Sequence, residues 1–215
     1  DIISILPGSG VDPDFFSRKM VKEKNIRPKL FTFLFVGRVL AEKGIVEYLQ
    51  ASERIKTLYN VNCIVLGDIS YVQGQDKTVR LLNQYANKKI VEYRGFSEDI
   101  RRDLYNANCM VLPSYREGTS RAIMEALSME VPVITSNVPG CNNLVKDGLC
   151  GLLCNPNSAD DLFEKMEKMY LKSDLERFKM GREGRMKIIK NFKVDLVVNK
   201  YIDKVKEVTK FRFKR

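Results

Sequence analysis

Residues 109–126 read Cys-Met-Val-Leu-Pro-Ser-Tyr-Arg-Glu-Gly-Thr-Ser-Arg-Ala-Ile-Met-Glu-Ala. A short apolar run, 109–112, stops at a proline, a polar glycine-containing turn follows, and Ala122, Ile123, Ala126 and Leu127 then recur at helical spacing. The segment reads as strand, loop and helix. Glu117 and Glu125 stand eight residues apart around the Gly118-Thr119-Ser120 turn that starts the helix. Charge at the end of a buried strand is costly unless something polar meets it, so this unit points to a ligand as well as to a fold.

Working outward, the same alternation runs through most of the chain. Strands are expected at 31–36, 62–66, 90–93, 109–112, 133–135 and, more weakly, 151–154, with helices between them at 45–58, 77–87, 99–106, 120–129 and 142–146. Such an alternation predicts an α/β fold, a Rossmann-like doubly wound parallel sheet of six strands in the order 3-2-1-4-5-6 with helices on both faces. After residue 158 the pattern becomes wholly helical, at 159–171, 174–191 and 194–208, and forms a helical C-terminal extension. Val198, Tyr201, Ile202, Val205 and Val208 make an apolar stripe on the last helix. Core packing accounts for it most simply; a partner interface is the other reading.

Composition narrows the function classes. The 215 residues are 44% hydrophobic and carry a net charge of +10, enough for one well-cored domain with an extension. No apolar stretch approaches the length of a membrane span and no signal peptide opens the chain, so a soluble, cytoplasmic protein is expected. The five cysteines, Cys63, Cys109, Cys141, Cys150 and Cys154, read as reduced core thiols. Cys150 and Cys154 alone are too few ligands for tetrahedral zinc. Histidine is absent, which excludes Ser-His and Cys-His nucleophiles and any histidine base within this chain. The positive charge has three readings: nucleic acid, an anionic membrane surface or a phosphorylated substrate. Basic residues interleave with acids on helices and show no aromatic-basic stacking pattern, which favours the last two and argues against nucleic acid. The 210–215 end, Lys-Phe-Arg-Phe-Lys-Arg, could touch anionic lipid, although a solvated terminus is the simpler reading.

In the doubly wound order, strands 1 and 4 adjoin at the switch point where such sheets bind ligands. The two most unusual loops follow these strands: Gly37-Arg38-Val39-Leu40-Ala41-Glu42-Lys43-Gly44 and Pro113-Ser114-Tyr115-Arg116-Glu117-Gly118-Thr119-Ser120. Arg38 and Lys43 could hold a diphosphate between them, and the amides of Gly118, Thr119 and Ser120 would face an anion with the helix dipole behind them. Glu117 and Glu125 suit sugar and ribose hydroxyls. A nucleotide-activated sugar combines these groups.

At this point the residues resemble the C-terminal, donor-binding domain of the retaining glycosyltransferases of family 4, which have the GT-B fold. The ordered elements are Pro-Gly-Ser-Gly-Val-Asp at 7–12, Phe-Val-Gly-Arg at 35–38 with Lys43-Gly44, Leu66-Gly67-Asp68, Tyr93-Arg94-Gly95-Phe96, Leu112-Pro113-Ser114, the Glu117 to Glu125 segment, and Val131-Pro132-Val133-Ile134 followed by Pro139-Gly140. The resemblance implies Glu117, Arg38 and Lys43 as catalytic residues. It implies Gly37, Arg94, Phe96, Gly118, Thr119, Ser120, Arg121 and Glu125 as donor-binding residues, with Arg94 to Phe96 beside the base. It implies transfer with retention from a nucleotide sugar, UDP by the family's habits, carrying a hexose or N-acetylhexosamine. It further implies a saccharide or lipid-linked acceptor in bacterial surface-polysaccharide synthesis, with no metal or other cofactor required. The domains expected are an interdomain segment at 1–28, a donor domain at 29–191 and a C-terminal helix at 192–215 that packs toward a missing N-terminal acceptor domain.

Two positions depart from the pattern: Glu130 stands where glycine is usual, and Asn142-Asn143 replaces an acid. The first alters a helix cap; the second removes Asn143 from the site. Asp12-Pro13-Asp14 has the form of a metal-nucleotide motif but no strand end precedes it, so Gly8 to Gly10 read instead as a phosphate-side or hinge loop. The chain begins without methionine, inside what reads as a continuing segment, 1–6. A fragment is therefore expected, one that binds a nucleotide sugar with little transfer by itself and that sits in the cytoplasm with peripheral membrane contact. The rivals are a sugar-nucleotide epimerase of similar architecture, disfavoured by the absence of histidine, and a non-catalytic nucleotide-sugar binding or regulatory module.

Overall fold

A computed structural model describes residues 8–21, 30–70 and 77–212, with side chains described to residue 209. Parts of the 1–28 segment, including 1–7, and the 210–215 basic end thus lie outside the described residues or side chains. Six strands, β1 Phe31–Val36, β2 Val61–Leu66, β3 Glu92–Tyr93, β4 Cys109–Leu112, β5 Val133–Ser136 and β6 Gly151–Cys154, form one sheet in the order β3-β2-β1-β4-β5-β6. Every neighbouring pair is parallel. The helices are α1 Ile45–Leu58, α2 Lys77–Asn87, α3 Arg101–Asn106, α4 Arg121–Ser128, α5 Ala159–Leu171, α6 Asp174–Asn191 and α7 Val194–Arg212. Right-handed crossovers place the helices that step leftward from β1 and those that step rightward from β4 on opposite faces. Accordingly α1 packs against α2 and α5, and α4 packs against α6.

Covered on both faces, the central strands are apolar without alternation. Phe33, Phe35, Met110, Val111, Val133 and Ile134 are all fully buried. All five cysteines are free and buried within this core. Burial pushes the thiols of Cys63 and Cys141 up to about 11 and that of Cys154 up to about 12, so they remain protonated and unreactive at neutral pH.

Two expectations fail. Residues 142–146 form no helix: Asn142 and Val145 each close a single turn, donating to Val138 and Cys141, and the Asn142 side chain bonds that of Asn137. Asparagine side chains compete with helical backbone bonds, and five residues are too few to offset helix nucleation. The apolar stripe of α7 is also not core. Val197 is buried, next to Gly10, whereas Val198, Tyr201, Ile202, Val205 and Val208 are exposed. Helical spacing reports a face that needs covering, not what covers it.

The Glu130 departure has a geometric outcome. Glu130 has φ +58° and ends α4, with its N–H bonded to the Leu127 carbonyl and the Val131 N–H to Ala126, the double bond of a Schellman cap. A left-handed non-glycine residue costs about 1 kcal/mol. Its 3.9 Å contact with Arg185 returns a few tenths. Glu130→Gly is therefore expected to stabilise the chain by about 0.5 kcal/mol, read as a higher urea midpoint at unchanged slope.

Candidate functional site: the crevice after strands 1 and 4

The loops after β1 and β4 meet backbone to backbone. Gly44, at φ +75°, caps the short helical turn Ala41–Lys43 and starts α1, and a Cβ on it would lie 2.2 Å from the Pro113 carbonyl oxygen. Only glycine allows both that φ and that approach. One residue beyond Ser114, the Tyr115 N–H donates to the Glu42 carbonyl at 2.9 Å. The contact brings Lys43 Nζ to 2.7 Å from Glu117 Oε1, with both side chains mostly buried at 16% and 12% exposure. Ser114 Oγ donates to the same oxygen at 2.9 Å. Lys43 and Glu117 are thus joined as the switch-point reading required. Arg38 lies on the rim, more than half exposed and 4.0 Å from Glu42. Arg116 reaches Glu42 from the other loop at 3.9 Å.

The turn itself rests on the loop after β5. A Cβ on Gly140, at φ +84°, would come within 2.2 Å of the Glu117 carbonyl oxygen. The Ser120 N–H bonds the Gly140 carbonyl at 3.4 Å, which corrects the expectation that it faces an anion. The amides of Gly118 and Thr119 carry no hydrogen bond among the described residues, and space beside the Gly118 Cα is open. Gly8 meets Thr119, where a Cβ would lie 2.7 Å from the Thr119 Cβ. The Gly8 to Gly10 loop therefore borders the turn. Asp12 is spent as a turn cap, accepting from the N–H groups of Asp14 and Phe15 at 2.8 and 3.1 Å.

Glu125 sits on the second turn of α4 and is buried. Burial raises its pKa above the usual carboxylate value, and the Arg121 guanidinium 3.4 Å away opposes the shift. The folded chain therefore binds that proton more tightly than the unfolded chain, and stability falls as pH rises from the unfolded to the folded pKa. Glu125→Gln is expected to raise the melting temperature at pH 7 and to leave it unchanged at pH 3, below both values, as calorimetric scans would show.

Other site residues are placed differently. The Arg94 guanidinium is held by Glu92 at 2.8 Å and Asp103 at 2.8 Å, so its charge is matched within the fold. Its turn nonetheless shares the C-terminal edge of the sheet: the Gly67 N–H donates to the Gly95 carbonyl, the Gly37 N–H donates to Leu66, and Phe96 is exposed. The cavities of ≈ 460 and ≈ 450 Å³ lie elsewhere, lined by Asn62 and Val91 and by Leu30, Asn108 and Pro132 at the opposite ends of the strands. Among the described residues no group of three or more cysteines and acids is arranged to hold a metal ion. Reading along the chain missed Ser114, Glu42 and Glu47 as parts of this site. The signal for Glu47 was present, a carboxylate between Ile45 and Tyr48 on the buried side of α1.

Residues 16–191 match the family described as glycosyl transferases group 1. The chain is 32% identical over 170 residues to the capsular polysaccharide biosynthesis glycosyltransferase CapM of Staphylococcus aureus, covering 78% of this chain and 43% of that protein. It is 29% identical over 216 residues to the UDP-Gal:alpha-D-GlcNAc-diphosphoundecaprenol alpha-1,3-galactosyltransferase of Escherichia coli, covering 94% and 54%. The chain spans about half the length of these curated relatives. Among solved structures, Anabaena HepE in complex with UDP-glucose superposes with a TM-score of 0.79 at 18% identity, over 92% of this chain and 56% of that one. A match over most of the length, together with the doubly wound sheet, places the chain in a family: it belongs to the glycosyl transferases group 1.

Proposed function

We propose that this chain is the donor half of a retaining, family-4 GT-B glycosyltransferase, binding a UDP-sugar, either hexose or N-acetylhexosamine, for transfer to a saccharide or lipid-linked acceptor in surface-polysaccharide synthesis. The observation that carries the reading is the part-buried Lys43–Glu117 pair at the switch point, with Arg38 on its rim. Relatives that act in polysaccharide synthesis, and a structural neighbour solved with UDP-glucose, support it.

In this reading the base lies by the Arg94–Phe96 turn and the sugar by Glu117. From β3 to β4 is three strand spacings, about 14 Å, room for an extended nucleotide sugar. As the glycosidic bond breaks, the sugar gains oxocarbenium character and the diphosphate gains negative charge. Arg38, Lys43 and the amides of Gly118 and Thr119 stabilise that charge, without an obligatory metal. Glu117, held by Lys43 and Ser114, orients sugar hydroxyls; Glu125 and Arg121 meet the ribose. A separate N-terminal domain supplies the acceptor side, α7 packs toward it with its exposed stripe, and the enzyme works in the cytoplasm at the inner face of the membrane. This chain by itself binds donor with little transfer.

Titration calorimetry with UDP-, GDP- and ADP-sugars tests the reading. Binding of a nucleotide sugar that weakens at least tenfold in Arg38→Ala supports it; tight binding of RNA with none of nucleotides sinks it.

A further inference from the structure

The mechanism leaves one buried acid unused. Glu47, in the first turn of α1, is 8% exposed, and its Oε1 accepts the Tyr115 hydroxyl at 2.7 Å. Its Oε2 is buried with no hydrogen-bond partner among the described residues. The helix N-terminus offsets part of the desolvation of this carboxylate. Even so, an apolar pair of the same shape would hold the two segments together at least as stably, because a half-satisfied buried charge is a liability. What a carboxylate and a phenol give that an apolar pair does not is a fixed direction and distance.

That direction bears on the site. Tyr115 is tied to the β1–α1 segment twice, by its N–H to the Glu42 carbonyl and by its hydroxyl to Glu47. Lys43 lies between those two anchors in sequence, and Glu117 lies two residues beyond Tyr115. We infer that the Tyr115–Glu47 hydrogen bond is a strut that sets Lys43 and Glu117 in register, which makes Tyr115 and Glu47 positioning residues of the candidate donor site. Burial, and Glu47 beside it, push the Tyr115 hydroxyl well above its ordinary pKa, so it stays a donor throughout the neutral range. With the strut removed, the β4–α4 loop is held to the β1–α1 segment by the backbone bond to Glu42, the Pro113–Gly44 contact and the Lys43–Glu117 and Arg116–Glu42 ion pairs, and nothing rigid then sets the approach of Lys43 to Glu117. Lys43 is then exposed for a larger fraction of the time.

The assignment of the site to a donor rests on the function proposed above, so the test has one arm that needs no nucleotide. Trace acetylation of the chain with acetic anhydride, read by mass spectrometry, reports the accessibility of each lysine amine. Tyr115→Phe and Glu47→Leu are each expected to raise the labelling rate of Lys43 about tenfold, the loss of one charge-assisted hydrogen bond, while Lys88 and Lys146 serve as internal references and stay unchanged. Glu47→Gln keeps an acceptor for the hydroxyl and is expected to restore protection. The double variant Tyr115→Phe/Glu47→Leu is expected to label no faster than either single variant, because both remove the same bond. Lys43 labelling in Tyr115→Phe within twofold of the unmodified chain overturns the inference. So does failure of Glu47→Gln to restore protection. In the second arm, donor affinity is expected to fall about tenfold by the same conversion both in Tyr115→Phe and in Tyr115→Phe/Glu47→Leu, and the double variant, which leaves no buried carboxylate without a partner, is expected to keep a melting temperature close to that of the unmodified chain. A chain that binds no nucleotide sugar at all overturns the proposed function and leaves the labelling result to decide the strut.

Discussion

Lys43→Ala is expected to abolish measurable nucleotide-sugar binding by this chain and to lower turnover of the complete enzyme on the order of 10²-fold or more. Two effects act together. On the function proposed above, the developing diphosphate would lose the ammonium that the fold holds beside Glu117. Glu117, only 12% exposed, is left with its charge opposed by Ser114 alone. Breaking a part-buried pair by removing one partner costs less than the several kcal/mol of a fully buried one but is still unfavourable, so Lys43→Ala is also expected to lower the melting temperature. A second substitution separates the effects. Lys43→Ala/Glu117→Gln removes the uncompensated charge and is expected to recover most of the stability, as measured by urea unfolding, and none of the binding. If the double variant recovers both, the lysine serves the fold and not the ligand. Retention of donor affinity within threefold in Lys43→Ala would remove the diphosphate assignment outright.

Gly44→Ala is expected to be, with Gly140→Ala, among the most destabilising single methyl additions in the site. The added Cβ would sit 2.2 Å from the Pro113 carbonyl oxygen and 2.6 Å from its carbon, both backbone atoms of a buried loop that cannot turn aside. The left-handed φ of +75° adds a second penalty of about 1–2 kcal/mol. Together a loss on the order of 4 kcal/mol is expected by equilibrium unfolding, and Lys43 is expected to draw away from Glu117 as the two loops are forced apart. Gly118→Ala is the informative control. Its Cβ meets nothing within 4 Å, so stability is expected to stay within about 0.5 kcal/mol. The same methyl, added to the residue next to Glu117 in the same crevice, thus separates backbone fit from mere proximity to the site.

Much of the fold was legible along the chain. The runs at 31–36, 109–112 and 151–154 and the helical spacing at 45–58, 159–171 and 174–191 coincide with β1, β4, β6, α1, α5 and α6. These segments carry strong local periodicity and clear breakers, such as Pro113 after β4. The short edge strand β3 begins two residues later than expected, because an edge strand has one partner and less burial to define its start. Residues 142–146 show where local spacing stops being informative. Leu144 and Val145 are buried, as a helix face would be, yet turn-forming asparagines place them there without a helix.

The site was partly legible for a similar reason. Arg38, Lys43 and Glu117 lie in loops that follow neighbouring strands, and sheet order alone brings such loops together. Arg94 shows where this reasoning stops. The family resemblance implied Arg94 beside the base, while the structure pairs its guanidinium with Glu92 and Asp103, and no local pattern along the chain shows which arginine is already matched within the fold.

By itself the sequence determined the parallel α/β sheet, its strand order and the two loops that flank the crevice, because apolar periodicity and turn chemistry act over a few residues and crossover handedness does the rest. Only the tertiary structure decided which charges meet: Lys43 with Glu117 across 74 residues, Tyr115 with Glu47 across 68, and the α7 stripe with solvent in place of the core. The physical reason is that a side chain's partner is set by packing geometry at ångström precision, through close approaches such as Gly44 on Pro113, and that geometry is a property of two segments together and of neither alone.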